Sequence, residues 1–94
     1  RGTMKYASGN VYEGEYRAGV KEGRGTYMYA RSGRAEVGCY RAGADVGESV
    51  QWTADRQWAW RLLDGKLHAE ISLGEARELA ARIGLPVPPA PRTQ

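Results

Sequence analysis

A repeat of 23 to 24 residues constrains this chain more than any other feature of its sequence. Gly-Thr-Met-Lys-Tyr at residues 2–6 returns as Gly-Thr-Tyr-Met-Tyr at residues 25–29. Gly-Glu-Tyr-Arg-Ala-Gly at residues 14–19 returns as Gly-Cys-Tyr-Arg-Ala-Gly at residues 38–43, and one inserted residue near Arg31-Ser32 accounts for the longer spacing. A period of this length is typical of stacked supersecondary units.

A third, weaker copy follows the first two. Trp60 stands where the interior glycine Gly14 would be, and Asp64-Gly65 is the expected turn. A terminal repeat has no neighbour stacked beyond it, so it tolerates such losses. We therefore interpret the third copy as a cap.

Each copy has the pattern of a β-hairpin. Along residues 10–16, strict alternation places Tyr12, Gly14 and Tyr16 on one face and two glutamates on the other. The polar, glycine-bearing residues 17–23 predict the turn, and residues 25–29 predict the return strand. Glycine weakens a strand interior, so we expect the interior glycines to make room for an aromatic ring of the next hairpin.

At these residues the chain resembles the MORN repeat, whose pattern is Tyr-Glu-Gly-Glu-aromatic, two residues, Gly, three residues, Gly-any-Gly. The first copy fits every position, with residues 12–16, Gly19, Gly23 and Gly25. The second copy departs from it, with Glu36-Val37 in place of Tyr-Glu and Ser49 in place of the last Gly. The resemblance covers roughly residues 2–66. It implies a mainly β fold, an elongated single-layer antiparallel sheet of stacked hairpins with a shallow aromatic groove.

A short helix is predicted after the repeats. Ser72 and Glu75 have the spacing of a capping box ahead of an apolar run with helical periodicity, and Gly84 provides a stop. We expect the helix to run from Leu73 to Ile83 and to close one end of the sheet or dock on another protein.

The chain is thereby divided into hairpin repeats at residues 1–66, a capping-helix region at 67–85 and a proline-rich tail at 86–94. The tail is expected to be extended polyproline II, either a ligand for aromatic grooves or a passive end.

Composition removes several classes of function. The formal charge of +3 is spread with both signs interspersed and without a basic stripe, so we predict no nucleic-acid partner. One cysteine and one histidine exclude a disulfide framework and a multi-ligand Cys/His metal site within the chain, and we predict no metal and no cofactor.

No run approaches the roughly 20 apolar residues of a membrane span, and no signal peptide opens the chain. Arg1 starts inside a repeat, so we expect further sequence upstream, and an intracellular location is favoured over secretion.

No residue pattern predicts catalysis. The thiol of Cys39 replaces a repeat glutamate on the outer face and has only His68 as a possible base, so we expect a plain surface thiol. The repeat pattern already explains Glu13 and Glu15. We therefore predict that the chain is not an enzyme.

We expect the chain to act by contact with a protein partner, as a small subunit of a larger assembly. Tyrosine rings are large, stiff and amphipathic, and together they suit a partner helix or extended peptide, although packing between hairpins is the alternative for any single ring. The predicted contact residues are Tyr12, Tyr16, Tyr27, Tyr29 and Tyr40 in the groove, with Leu79 and Ile83 on the helix. The tryptophans Trp52, Trp58 and Trp60 are expected to form a core between the third copy and the helix.

Two other modes of binding stay open. Basic residues would touch anionic lipid headgroups at about 1 kcal/mol each, less what their acidic neighbours offset. They are Lys5, Arg17, Lys21, Arg24, Arg31, Arg34 and Arg41. Uncovered edge strands would favour a homo-oligomer, because an unpaired edge invites pairing with another chain.

Overall fold

The computed structural model describes residues 2–90, which form one open sheet of seven antiparallel strands followed by a helix. Each strand pairs with the next one along the chain. The elements are β1 (Gly2–Lys5), β2 (Val11–Arg17), β3 (Val20–Met28), β4 (Ala35–Arg41), β5 (Ala44–Trp52), β6 (Ala59–Leu63), β7 (Lys66–Ile71) and α1 (Leu73–Ile83). The predicted mainly β fold of antiparallel hairpins with one C-terminal helix is confirmed. The molecule measures 35 × 34 × 20 Å, a slab about as wide as it is long.

Two-residue turns close the hairpins β2–β3, β4–β5 and β6–β7. Ala18-Gly19, Ala42-Gly43 and Asp64-Gly65 have positive φ at both positions, between 51° and 87°. Two such residues in a row make a type I′ turn, whose twist matches that of the paired strands. The predicted turn at Asp64-Gly65 is confirmed. The broader turn predicted at residues 17–23 is wrong, because β3 already begins at Val20.

A second pair of matching glycines produces bulges within the hairpins. The registers of β2–β3 and of β4–β5 each contain an irregularity. Gly23 and Gly47 lie opposite these irregularities with φ of +91° and +69°, a conformation that side chains disfavour. The repeat of these glycines in the sequence thus corresponds to a repeated bulge.

The sheet has two chemically different faces. Cross-strand pairing of Tyr12 with Tyr27, and of Tyr27 with Glu36, places these side chains on one face. We call it the tyrosine face, defined by Tyr6, Tyr12, Tyr16, Tyr27, Tyr29 and Tyr40, whose rings contact one another. The opposite face carries Val37 and Val50, which pair across β4 and β5 and lie under α1, and we call it the helix face.

The helix has the predicted bounds and ends. Ser72 accepts a hydrogen bond from the Glu75 backbone, and Glu75 accepts one from the Ser72 backbone, so the capping box is confirmed. Gly84 ends the helix in the left-handed conformation. Both features fix the ends of a helix that is too short to be stable alone.

The helix covers one face of the C-terminal half of the sheet. It packs on β4, β5 and β6, and its buried residues Ala76, Leu79 and Ala80 complete an aliphatic core on the helix face. It therefore lies across a face, and the expectation that it closes one end of the sheet is wrong. The reason is that its apolar stripe packs on the apolar side chains of these three strands, which the strand alternation directs to this face.

Only one tryptophan belongs to this core. Trp52 is buried there as expected. Trp58 is 55% exposed, and Trp60 lies under the Arg34 guanidinium at 5.7 Å, outside the core under the helix. The expectation of a three-tryptophan core is therefore wrong for these two residues.

Residues 85–90 return along the helix face. Leu85 is buried in the core and Val87 packs against it. The Arg56 guanidinium donates hydrogen bonds to the backbone oxygens of Pro88 and Pro89 at 3.1 and 2.8 Å. This part of the tail is thus held on the protein, whereas residues 91–94 of the predicted tail lie outside the described residues.

Candidate binding surface on the tyrosine face

The tyrosines form a connected layer across β2, β3 and β4. The Tyr12 ring meets Tyr40 edge-on at 5.3 Å between centroids and reaches Tyr16 at 6.5 Å. Tyr27 contacts Tyr6 at 5.7 Å and Tyr29 at 4.8 Å. Tilted and edge-on pairs are the favourable arrangements of aromatic rings, worth roughly 0.5–1.5 kcal/mol each beyond burial. The surface is therefore a packed structure in its own right.

Glycines let the rings lie flat on the strands. A Cβ atom on Gly25 would collide with the Tyr12 ring, and one on Gly14 would lie 2.5 Å from the Arg24 backbone oxygen. Tyr12 Oη then donates a hydrogen bond to the Glu15 backbone oxygen at 2.6 Å. The expectation that the interior glycines accommodate a ring is confirmed, but the ring over Gly25 comes from the same hairpin and not from the next one.

Lys21 lies inside this layer. Its Nζ is 4.5 Å from the Tyr40 ring centroid, 4.6 Å from that of Tyr27 and 5.9 Å from that of Tyr12. All three distances fall within the roughly 6 Å reach of a cation–π interaction. We call the three rings with this ammonium the lysine cage.

Two carboxylates border the lysine cage. Glu36 pairs with Tyr27 across β3 and β4, and Asp45 pairs with Tyr40 across β4 and β5. Glu36 is only 2% exposed and accepts a hydrogen bond from Gln51 Nε2 at 3.3 Å. Burial, and then a hydrogen bond and charge repulsion from Asp45, raise the pKa of Glu36 to about 7.

The neighbouring phenols feel the same environment. Burial, followed by the charges of Glu36 and Asp45, raises the pKa of Tyr29 to about 12. The same causes raise the pKa of Tyr40, whose buried Oη has no hydrogen-bond partner among the described residues. Tyr29 and Tyr40 therefore stay neutral at physiological pH, and Lys21 is the cation whose charge lowers the pKa of Glu36.

The structure divides the predicted contact residues into three groups. Tyr12 and Tyr40 are 0% and 3% exposed and form the floor of the tyrosine face. Tyr27 and Tyr29 are half-buried, and Tyr16 is 39% exposed at the rim. The two predicted helix residues belong elsewhere: Leu79 is buried in the core on the helix face, and Ile83 is half-buried against the same core.

Sequence reasoning missed the lysine cage. The sequence places Lys21 among the basic residues expected to touch lipid headgroups, and it predicts no role for Asp45. One signal was present, since Glu36 occupies the position of a tyrosine in the repeat pattern. A carboxylate at a repeat position that normally holds a packed tyrosine ring is expected to be buried, and a buried carboxylate favours a nearby cation.

The described residues also bear on metal binding, nucleophilic catalysis and membrane spanning. Among residues 2–90, no group of three or more His, Cys, Asp or Glu side chains is arranged to hold a metal ion. Cys39 lies on β4 and His68 on β7, about three interstrand spacings of roughly 4.8 Å apart, so they do not form a nucleophile–base pair. In the part of the chain that the structure describes, no helix is long and apolar enough to cross a membrane.

A family model described as MORN repeat matches residues 12–34. The matched segment contains β2 from Tyr12 onward, the turn at Ala18-Gly19 and all of β3. It includes Lys21 and four of the five tyrosines predicted for contact. No curated protein sequence matches the chain.

Proposed function

We propose that this chain, a member of the MORN-repeat family through residues 12–34, is a noncatalytic module that binds a protein partner along its tyrosine face. MORN repeats are generally associated with protein or membrane interaction, and they are a non-enzymatic type of module. The partner segment would be a helix or an extended peptide, and the chain would be a small subunit of a larger assembly.

The observation that carries this proposal is the contrast in cover between the two faces. The helix face has α1 and residues 85–90 packed on it. Within residues 2–90, no helix or strand lies over the tyrosine face, where Tyr16, Tyr27 and Tyr29 are partly exposed. Rigid aromatic rings at the edge of a packed layer are the residues that most often anchor a protein interface.

The anionic-membrane alternative has less support. Lys21 is held in the lysine cage, and Arg24 is tied to the helix face, where it bonds the Ile83 backbone oxygen at 3.3 Å and pairs with Glu15 at 3.7 Å. The basic residues therefore do not form one surface that could lie flat on a bilayer.

Affinity capture from the native source, followed by mass spectrometry, tests the proposal. The intact chain is compared with a Tyr16→Ala/Tyr29→Ala variant and with a Leu67→Ser control, which changes an exposed apolar residue on β7. We expect one defined protein complex that the control retains and the tyrosine variant loses, while urea unfolding confirms that both variants fold.

Two results would count against it. One is a complex that survives in the folded tyrosine variant. The other is binding to acidic vesicles that weakens steeply with salt, without a protein complex, which would favour the membrane alternative.

The edge strands offer a separate route to assembly, which we propose as an addition to partner binding. β1 and β7 are the outer strands of the open sheet, and β7 is exposed along almost its whole length. Pairing of these edges between copies would lengthen the sheet. Concentration-dependent sedimentation, abolished by Leu67→Pro but not by Leu67→Ser, is the expected outcome.

A further inference from the structure

The lysine cage is built for a single cation. Two of its rings face the Lys21 ammonium at 4.5 and 4.6 Å, and a third lies at 5.9 Å. The two ion pairs found among residues 2–90, Arg24 with Glu15 and Arg61 with Glu48, do not include Lys21. The ammonium is thus held by ring faces and by the field of nearby carboxylates rather than by a direct ion pair.

The carboxylates give the cage a defined charge preference. Glu36 and Asp45 lie beside the rings on the same face, and Glu36 has almost no contact with water. Lys21 favours the ionised form of Glu36, which also shares a hydrogen bond with Asp45. Without a nearby cation, negative charge on this pair is costly in a medium of low dielectric. The carboxylates therefore favour a cation as the occupant that replaces Lys21.

The shape of the cage limits that cation further. Lys21 is a half-buried side chain that reaches the rings from β3, so the space it fills is that of a four-carbon chain ending in an ammonium. For another cation to enter, this one side chain must leave the rings. Methylation of an ammonium suits such a site, because ring faces bind quaternary ammonium groups well.

We propose that the lysine cage is a binding site for an alkylammonium group, supplied by a lysine or methylated lysine of the partner's peptide, and that Lys21 is its internal competitor. This inference rests on the proposed function, because it names the chemistry of the partner on the tyrosine face. The partner's lysine displaces Lys21 and restores the charge balance with Glu36 and Asp45. While Lys21 occupies the cage, the apparent affinity for an external lysine is reduced by the fraction of molecules with an open cage.

A titration with a small probe tests the cage without the partner. The probe is Nα-acetyl-trimethyllysine amide, and the readout is the ring resonances of the tyrosines in NMR spectra. We expect Lys21→Ala to bind the probe about tenfold or more tightly than the wild-type chain, because the internal competitor is gone. A neutral probe with a tert-butyl group in place of the trimethylammonium should not bind.

A second variant ties the binding to the rings. Tyr27 is half-buried, so Lys21→Ala/Tyr27→Leu is expected to fold, as urea unfolding will confirm, and to lose the probe. Saturable binding by Lys21→Ala that this double variant lacks supports the cage. Absence of binding by a folded Lys21→Ala variant, or equal binding of the neutral probe, overturns it.

The source of the cation is tested with the same variant. Peptides that contain trimethyllysine should bind, and phosphatidylcholine vesicles should not, since the choline headgroup lacks a four-carbon chain. Preferential binding of the vesicles would overturn the assignment to a peptide lysine. The capture experiment on Tyr16→Ala/Tyr29→Ala remains independent: partner binding without probe binding rejects the cage alone, and probe binding without any partner rejects the proposed function.

Discussion

The side chains on the two faces of the sheet are buried in different ways. On the helix face, Val37, Val50 and Ala59 are covered by a second layer of aliphatic side chains from α1. On the tyrosine face, Tyr12 and Tyr40 are as deeply buried, yet no helix or strand of residues 2–90 covers them. Their cover consists of neighbouring rings and the Lys21 side chain.

The difference lies in what each kind of core requires. An aliphatic core needs a second element, because its side chains stand perpendicular to the sheet and gain contacts only from a facing layer. Tyrosine rings can instead lie along the sheet if the strands beneath carry glycine, as Tyr12 does over Gly25. The first kind of core is complete in itself, and the second leaves ring edges and the Lys21 side chain partly exposed.

The largest effect on stability is expected from a substitution in the core of the helix face. Trp52→Ala removes the largest fully buried side chain of the core under α1, and large-to-small changes of this type cost roughly 3–5 kcal/mol of unfolding free energy. Urea unfolding followed by circular dichroism measures the loss. Trp58→Ala is the matched control, because this ring is largely exposed and its loss should change the value by no more than about 0.5 kcal/mol. Equal effects of the two changes would mean that α1 does not complete a core there.

The next prediction concerns the pH dependence of stability, to which the two faces should contribute differently. The pKa of Glu36 is about 7 in the folded chain against about 4.3 for an unperturbed glutamate, so between these values the folded state binds a proton that the unfolded state has lost. Unfolding free energy should therefore fall as pH rises from about 4.5 to 7, by roughly 2–3 kcal/mol, and level off by about pH 8. The core on the helix face consists of hydrophobic residues and adds no such dependence.

Urea unfolding at half-unit steps between pH 4.5 and 8 measures this dependence. Glu36→Gln should remove it, because the amide is neutral throughout, whereas Glu13→Gln, at an exposed position of β2, should leave it in place. A wild-type curve that is flat over this range would contradict a buried, protonated Glu36. Among the groups around Glu36, Asp45 raises its pKa and Lys21 lowers it, while Tyr29 and Tyr40 are neutral neighbours whose own pKa values Glu36 helps to raise.

The sequence predicts the hairpins and the helix well because their signals are local. The turn at Asp64-Gly65 appears as a residue pair, strand faces appear as alternation, and the helix ends appear as Ser72 and Gly84. The position of α1 across the face is not local, since it depends on which strands present aliphatic side chains after folding. The lysine cage was missed for the same reason: Lys21, Glu36 and Asp45 lie on three different strands, and only the register of the sheet brings them together.

The smallest expected effect tests whether the tyrosine face needs glycine beneath its rings. Gly25→Ala places a methyl group where the Tyr12 ring lies, and both the ring and the strand are too well packed to move freely. Overpacking of this kind costs roughly 1–3 kcal/mol, and the displaced ring should also change the near-ultraviolet circular dichroism. Gly74→Ala adds the same methyl group in α1, where its nearest neighbour is Ser72 Oγ at 3.9 Å, so it should be neutral or stabilise by up to about 1 kcal/mol through helix propensity. If Gly25→Ala is as harmless as Gly74→Ala, then Tyr12 is not held against the backbone, and the tyrosine face buries its rings by some means other than flat packing over glycine.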